Sequence, residues 1–413
     1  MKCLSITREQ YNRLEEIVLY VFGLSLFINE KLMSNLPFLM IAFLIIRKFV
    51  YKEKLECGNE RLKKFLIFFL VVGTCWNFIG GMSYKPARAF LKMERYLVLV
   101  FYIYPMVKRE KKILRNFLIV SILGYLYLLK VVVVQYFQNI DRVPGIEDVN
   151  TTGLIGAVVG SIAGSMAIGE EKTLKKIGYT LLLVSGIFVT IATKGRGPLV
   201  SIFVALFFSL VIYIFVKKKF KNILITILIG ILTLTLFYKT IPQEKLNRFN
   251  NIFNTEQSVN NSSNGLRVEM WKNAIWRAKQ KPIFGSGTKF DKDKLFQKYI
   301  ENMPEETNVQ KYYKGMMRKN FDDAHNMYLN ALVDNGAFIL MLLILWFGIP
   351  GYLLFKIKDI EDKNMPIAYI IGIISFEAQG LFWPIWRKPN QSIFWTLLAL
   401  AVVLTLRKEE DKK

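Results

Sequence analysis

Residues 198–216 read PLVSIFVALFFSLVIYIFV, a run without a single charged side chain. The hydrocarbon core of a bilayer is about 30 Å thick and an α-helix rises about 1.5 Å per residue, so about 20 such residues cross it. Comparable runs recur from one end of the 413-residue chain to the other, and 53% of all residues are hydrophobic. This pattern excludes an ordinary soluble enzyme and predicts an all-α, polytopic membrane protein.

Twelve segments are long and apolar enough to be predicted as transmembrane helices. Apolar stretches of this length, separated mostly by short charged loops, are typical of helical membrane proteins. The second, sixth and twelfth are short or interrupted by small residues. The predicted spans lie near residues 15–30, 34–50, 64–81, 89–107, 116–137, 152–169, 177–194, 198–216, 222–238, 327–355, 365–384 and 390–406.

The basic residues are concentrated in alternate loops. The chain carries a net charge of +24, and most Lys and Arg residues outside the long loop lie on one side of the predicted spans. Those segments are residues 1–16, 47–64, 107–116, 169–176, 217–221, 356–364 and the C-terminal tail. Because positively charged short loops stay in the cytoplasm during insertion, both termini are predicted to be cytoplasmic. The charge is therefore explained by membrane topology, and no nucleic-acid partner is indicated.

One external segment is much longer than the other connections. It divides the chain into three parts: residues 1–238 with nine spans, the loop 239–326, and residues 327–413 with three spans and a cytoplasmic tail. Loops this long are usually functional or disordered. The predicted position of this loop is the outer face of the membrane, so chemistry outside the bilayer is expected there.

The second half of the long loop has helical patterning. A first amphipathic helix is predicted to begin near Leu266, behind a possible cap at residues 262–264, and to end in the turn-forming residues 281–289. A second is predicted from Asp291 to Met303. The apolar face of the first is predicted to comprise Trp271, Ala274, Ile275 and Ala278. Together these helices predict a small folded cap on the membrane surface.

His325 is the single histidine of the chain, and it lies where the long loop meets the tenth predicted span. An imidazole accepts a proton near neutral pH and can act as a general base. Asp322, Asp323 and Asn326 flank His325 and could orient or charge the ring, which favours a functional residue over an accidental exposed histidine. Tyr328, three residues further on, is a candidate for substrate binding.

Four arginines lie in predicted external segments, against the bias that keeps basic residues inside. Arg196 lies between two glycines in the tight turn Thr193–Pro198, where the backbone can approach a ligand closely. Arg267 opens the amphipathic loop helix, whose dipole favours anions. Guanidinium groups bind phosphate oxygens in a bidentate manner, so these two predict an anionic partner such as a lipid-linked diphosphate. Arg88 and Arg387 are weaker candidates, because anchoring a helix end at lipid headgroups explains them well.

Two charged residues, Lys130 and Glu377, fall deep within predicted spans. A central charge costs about 2.5–3.5 kcal/mol on insertion scales, so both should face the bundle interior or a cavity, unless Lys130 reaches the interface along its stem. The sequence has no Gly-Lys-Ser/Thr phosphate loop, no His-Glu-x-x-His and no paired-carboxylate metal motif. It therefore predicts neither a metal site nor a nucleotide cofactor.

Three motifs occur in order around the long loop. They are the Thr-Lys-Gly-Arg turn at 193–196, the run 265–271 followed by Pro282 and the Phe-Gly-Ser-Gly at 284–287, and His325-Asn with Gly336 eleven residues later. In this order and spacing, over roughly residues 150–345, the chain resembles the membrane family of O-antigen ligases and O-antigen polymerases. The N-terminal third resembles the family only in its hydropathy pattern.

The resemblance implies an integral-membrane glycosyltransferase of the bacterial inner membrane. The ligases transfer glycan from undecaprenyl diphosphate to lipid A–core on the periplasmic face, without metal or ATP. Carried over to the matching positions, His325 would be the general base that deprotonates the acceptor hydroxyl, and Arg196 and Arg267 would bind the diphosphate. Arg387 would correspond to a further arginine of the family.

Three alternatives to a ligase remain open from the sequence. A polymerase would use the same donor to extend another lipid-linked glycan, although the spacing between His325 and Gly336 favours a ligase. A lipid-linked oligosaccharide flippase or other transporter would also have about twelve spans, and Lys130 and Glu377 favour it. The one-sided loop and the lack of an internal repeat count against transport. A purely structural membrane protein would leave the external arginines unexplained.

Overall fold

The computed structural model describes residues 7–81, 84–217, 262–286, 292–302, 321, 323–360, 362–387 and 390–410. Every element within these residues is helical, which confirms the predicted all-α class. The α-helices are α1 (Arg8–Ile28), α2 (Glu30–Phe49), α3 (Glu60–Gly81), α4 (Tyr84–Glu94), α5 (Val98–Arg109), α6 (Lys111–Phe137), α7 (Val149–Gly169), α8 (Thr173–Ala192), α9 (Arg196–Lys217), α10 (Ser262–Gln280), α11 (Lys292–Glu301), α12 (Met327–Asn335), α13 (Ile339–Leu343), α14 (Ile349–Lys356), α15 (Asn364–Gly380) and α16 (Gln391–Glu410).

Seven helical stretches in the described residues are long and apolar enough to cross a membrane. They are α2, α3, α6, α7, α8, α9 and the composite stretch Met327–Lys356. The remaining predicted spans also fall on helices, except the ninth, near 222–238, which lies outside the described residues. A multi-pass membrane protein is therefore confirmed, whereas the count of twelve spans and the division at residues 238 and 326 stay predictions.

Two predicted spans are not single continuous helices. The span near 89–107 consists of α4 and α5 separated by the 3-10 turn Arg95–Leu97. The Arg95 guanidinium donates to the carbonyl oxygen of Ser34 at 3.0 Å, which fixes this break against α2. The tenth predicted span, 327–355, is interrupted at Gly336, whose φ of +55° ends α12.

The centre of the bundle is α7, which is buried along most of its length and packs against α8, α9 and α15. Small residues allow this close packing, as they do between many membrane helices. A Cβ added to Gly186 of α8 would lie 2.6 Å from the carbonyl oxygen of Gly156 and 2.7 Å from the Cα of Gly160. The backbones of α7 and α8 therefore touch without intervening side chains.

The predicted external loops gather at one end of the bundle. The backbone amide of Val143 donates to the carbonyl oxygen of Ala192 at 3.1 Å, and the Trp76 indole donates to the carbonyl oxygen of Asn335 at 3.0 Å. Predicted cytoplasmic segments meet at the other end, where Lys108 pairs with Glu56 at 3.0 Å. The structure thus agrees with the alternation in the charge pattern, and the orientation in the membrane stays a prediction.

Candidate active site

His325 lies in a tight turn immediately before α12. Its backbone has a φ of +47°, in the left-handed region that few non-glycine residues adopt. One carboxylate oxygen of Asp323 accepts the His325 backbone amide at 2.7 Å, and the other lies 3.3 Å from the imidazole Nδ1. The imidazole is 37% exposed. With Nδ1 beside a carboxylate, Nε2 is the nitrogen left to act on a substrate.

Asp323 is held as a carboxylate by its neighbours. Burial alone would raise the pKa of Asp323. The pKa is instead lowered to about 2, because the carboxylate accepts hydrogen bonds from the side chain and backbone of His325 and from Asn330, and lies near the charge of His325. The Asn330 amide donates to Asp323 at 3.1 Å. Asp323 is therefore anionic at neutral pH. Asp322, the other flanking aspartate, lies outside the described residues.

Asn326 ties the turn to two helices. Its side-chain oxygen accepts the backbone amides of Tyr328 and Leu329, each at 3.0 Å, and so caps the N-terminus of α12. Its side-chain nitrogen donates to the carbonyl oxygen of Leu381, just after α15, at 3.2 Å. Residues on both sides of His325 are thus fixed, while the ring itself stays accessible.

The loop helix α10 holds the segment that leads into this turn. The side chains of Asn273 and Arg277 both donate to the carbonyl oxygen of Phe321, at 3.0 and 2.9 Å. Arg277 is fully buried, with its guanidinium 5.5 Å from the centre of the Phe321 ring. Sequence analysis missed both polar residues, because a buried arginine and asparagine on a helix face look like solvent-exposed positions.

The predicted apolar face of this helix is partly wrong. Trp271 and Ile275 are exposed, at 36% and 46%, whereas Met270, Ala274 and Arg277 are buried. The helix also begins at Ser262 and not near Leu266. Its buried stripe is rotated because the polar contacts to Phe321 decide which side faces the protein.

Arg267 lies half buried on α10, one turn before Met270 and on the same side of the helix. Residues three and seven positions apart share one helix face, so Arg267 continues the stripe of Met270 and Ala274. That stripe packs against Phe321 and Ala324. The structure therefore places Arg267 on the side of α10 that faces the His325 turn.

The backbones of the second and third sequence motifs are hydrogen-bonded to each other. The amide of Ser286 donates to the carbonyl oxygen of Val333 at 2.7 Å, and that of Ala337 to the carbonyl oxygen of Ile283 at 2.8 Å. A Cβ on Gly336 would collide with the Ile283 carbonyl group. Gly336 is therefore required by backbone geometry, and its spacing from His325 is set by the length of α12.

Arg196 is the first residue of α9 and is half buried. It follows a turn in which Lys194 has a φ of +51°. Gly197 follows Arg196, and a Cβ on it would lie 2.8 Å from the Cβ of Phe382. The helix α9 therefore begins against the turn that follows α15. Asn326 donates to the same turn at Leu381. The elements that carry Arg196 and His325 therefore converge on residues 379–382.

An apolar groove of about 930 Å³ runs along α9, and we call it the α9 groove. The α9 residues in its wall follow Arg196 at intervals of three or four and form one continuous helical stripe. The opposite walls come from α14 and α15, and the polar groups at the groove are Tyr328, Glu377 and Lys358. The stripe on α9 comprises Val200, Val204, Phe208, Val211 and Phe215.

Tyr328 contributes to this groove and not to the His325 turn. Its hydroxyl donates to the carboxylate of Glu377 and to the carbonyl oxygen of the same residue, both at 2.9 Å. Glu377 is 3% exposed, and it faces a cavity as the sequence predicts for a charge within a span. Lys130, by contrast, lies on the exposed surface of α6.

The two weaker arginine candidates are placed differently. Arg88 is exposed on α4, at the mouth of a second apolar groove between α2 and α3. Arg387 ends the 3-10 turn Ile385–Arg387, which contacts α12, and its side chain lies outside what the structure describes. The structure thus brings the elements of His325, Arg196 and Arg267 together and leaves Arg88 in a separate groove.

Comparisons with known proteins indicate which family the chain resembles. Residues 181–347 match the family model described as O-Antigen ligase, a region that contains Arg196, Arg267, His325 and Gly336. The chain is also similar to a protein of Haemophilus influenzae (strain ATCC 51907 / DSM 11121 / KW20 / Rd), described as an uncharacterized protein. The two are 25% identical over 370 residues, which cover 87% of this chain and 89% of the relative.

Proposed function

We propose that this chain, in which residues 181–347 match the O-Antigen ligase family model, is a membrane glycosyltransferase that acts as a ligase. The reaction transfers glycan from undecaprenyl diphosphate to a hydroxyl group of lipid A–core on the periplasmic face of the inner membrane. The observation that carries the proposal is the convergence of the His325 turn and the start of α9 at the head of the α9 groove.

His325 is proposed as the general base. Asp323 orients the ring from the Nδ1 side, so Nε2 receives the proton of the attacking acceptor hydroxyl. The carboxylate also stabilises the imidazolium that forms, as a buried aspartate does in a catalytic triad. The hydroxyl oxygen then forms the new bond to the anomeric carbon while the bond from that carbon to the diphosphate breaks.

Arg196 and Arg267 are proposed to stabilise the leaving diphosphate. The donor already contains a good leaving group, so the protein has to supply position and positive charge, not a nucleotide. Arg196 adds its guanidinium to the N-terminal end of α9, where backbone amides and the helix dipole also favour an anion. Arg267 would approach the same anion from α10.

The α9 groove supports a lipid-linked donor. A diphosphate at Arg196 would leave its polyprenyl chain directly above the apolar stripe that begins at Val200. Burial of apolar chain surface in such a groove is favourable at roughly 25 cal/mol per Å². A donor carried by a water-soluble nucleotide would have no use for this feature.

The polymerase is the second candidate, since it would use the same donor groove and base. The Gly336 spacing that favours a ligase is explained by backbone geometry, so it discriminates weakly between them. Deletion of the protein followed by gel analysis of lipopolysaccharide tests the choice. A ligase predicts core lipid without repeats and polymer retained on undecaprenyl diphosphate, whereas core carrying a single repeat would identify a polymerase. An unchanged profile, with no retained polymer, would contradict both.

A further inference from the structure

A second groove lies between α2 and α3, and we call it the α2–α3 groove. Its volume is about 900 Å³, similar to that of the α9 groove. Its apolar wall includes Phe38 and Ile45 of α2 and Ile67 and Val71 of α3, all of them exposed to the surroundings of the bundle. From Asn35 to Lys48 the wall of α2 extends about 20 Å, more than the roughly 15 Å thickness of one leaflet of hydrocarbon.

The mouth of this groove is cationic. Arg88 and Lys92 lie one helical turn apart on α4, and both are exposed and line the mouth. Within the described residues neither side chain forms a salt bridge or a hydrogen bond. The guanidinium of Arg95, the neighbouring cation, instead donates hydrogen bonds to Ser34 and Tyr96. Two unpaired cations above an apolar groove complement a phosphate group attached to acyl chains.

A buried polar group also faces the groove. Glu94 is 2% exposed, and one of its carboxylate oxygens accepts the Trp386 indole at 3.1 Å. Its other oxygen is buried without a hydrogen-bond partner, although burial of an unsatisfied polar atom is costly. Because Glu94 lines the groove, a hydroxyl or amide group of a bound headgroup could supply the missing donor.

Two packed tryptophans connect the residues that line the two grooves. Trp386, bound to Glu94, packs edge-on against Trp346 with 5.1 Å between ring centres. Trp346 lines the α9 groove and packs against Tyr328 at 5.5 Å. The helix that carries Arg88 also packs beside the third motif, since Phe90 lies against Phe338 with 5.7 Å between ring centres. Each groove is therefore lined by, or packs beside, the helical region that follows His325.

We propose that the α2–α3 groove binds the acceptor, an acylated glycolipid whose phosphate is held by Arg88 and Lys92. This inference rests on the proposed function, in which the α9 groove is filled by the donor. Each lipid then has its own lateral entrance, and the Trp346–Trp386 pair lies between the two hydrocarbon chains while their headgroups meet at His325.

Binding and turnover test the proposal separately. The full-length protein in nanodiscs is titrated with bisphosphorylated lipid A, with a dephosphorylated lipid A and with phosphatidylglycerol, using Arg88→Gln/Lys92→Gln and Ile45→Trp variants. The matched control is Lys130→Gln, which removes an exposed cation from α6, away from both grooves. We expect the double variant to weaken binding of bisphosphorylated lipid A about tenfold or more, and Ile45→Trp to weaken binding of both lipid A forms.

Steady-state kinetics give the second readout. The double variant should raise KM for the acceptor and leave KM for the donor unchanged. Equal binding of lipid A by the wild type and the double variant would overturn the proposal, as would competition by phosphatidylglycerol as effective as that of lipid A. Binding that depends on Arg88 and Lys92 in a protein that transfers no glycan would keep this site and contradict the proposed function alone.

Discussion

The Tyr328 hydroxyl donates to the buried carboxylate of Glu377 at 2.9 Å. Tyr328 lies three residues after His325, the only histidine of the chain. This bond joins the first turn of α12 to α15, and so connects the His325 turn to the wall of the α9 groove. Glu377 is 3% exposed, so loss of this partner would leave a buried carboxylate with fewer hydrogen bonds. The contact therefore serves the position of the turn as well as the stability of the fold.

Tyr328→Phe should lower the free energy of unfolding by about 1–3 kcal/mol, because Glu377 loses a hydrogen-bond donor in a buried site. Thermal unfolding in detergent measures the change. The control is Tyr352→Phe, which removes the 3.0 Å bond from Asn59 at an exposed position and should change stability little. Equal effects of the two variants would contradict the importance assigned to the buried pair.

His325→Ala should abolish glycan transfer while the protein still inserts and folds, because the backbone bonds of the turn do not need the ring. Transfer from undecaprenyl diphosphate to lipid A–core in proteoliposomes measures the effect. Since His325 is the only histidine, a histidine-directed reagent should inactivate the wild type through this one side chain. Normal transfer by the stable variant would remove the general-base role.

Arg196→Lys should lower kcat about a hundredfold, the order seen when one donor to a developing anion is lost. An ammonium group retains the charge but not the planar fork that binds two phosphate oxygens. The comparison is Arg109→Lys at the opposite end of the bundle, where the guanidinium donates to Asn12 at 2.7 Å. If the two substitutions have the same small effect on kcat, Arg196 does not bind the diphosphate.

The pH dependence of stability should reflect the lowered pKa of Asp323, about 2 against an ordinary value of 3.8. A lowered carboxyl pKa contributes stability that is fully present above the ordinary value and disappears as pH falls toward 2. The stability difference between the wild type and Asp323→Asn should therefore shrink below about pH 4. A difference that instead vanished between pH 8 and 5 would show that another group titrates.

Gly336→Ala should destabilise the protein strongly, by roughly 3 kcal/mol or more, because it combines a positive φ with a collision against the Ile283 carbonyl group. Gly351→Ala is the matched control on α14, where a Cβ would meet nothing within 4 Å. Expression level and unfolding temperature report the difference. Tolerance of alanine at residue 336 would contradict the backbone role assigned to this motif.

Hydropathy was sufficient to predict the helical fold, because each crossing must satisfy its own backbone hydrogen bonds. The sequence also indicated His325, Arg196 and Arg267 as candidates, since their chemistry is unusual for their positions, and their roles stay predictions. It did not reveal Arg277, because the contact of its guanidinium with Phe321 joins residues 44 positions apart. The break at Arg95 was missed for the same reason, since its partner Ser34 is 61 positions away in sequence.

A chain with one histidine offers a spectroscopic probe that needs no resonance assignment. Protein labelled with isotopic histidine has one imidazole ring, that of His325, in a chain of 413 residues. The contact of Nδ1 with Asp323 favours the tautomer protonated at that nitrogen. The nitrogen shifts of this single ring should therefore report the tautomer directly, and titration with either lipid should reveal which of them first changes the environment of the base.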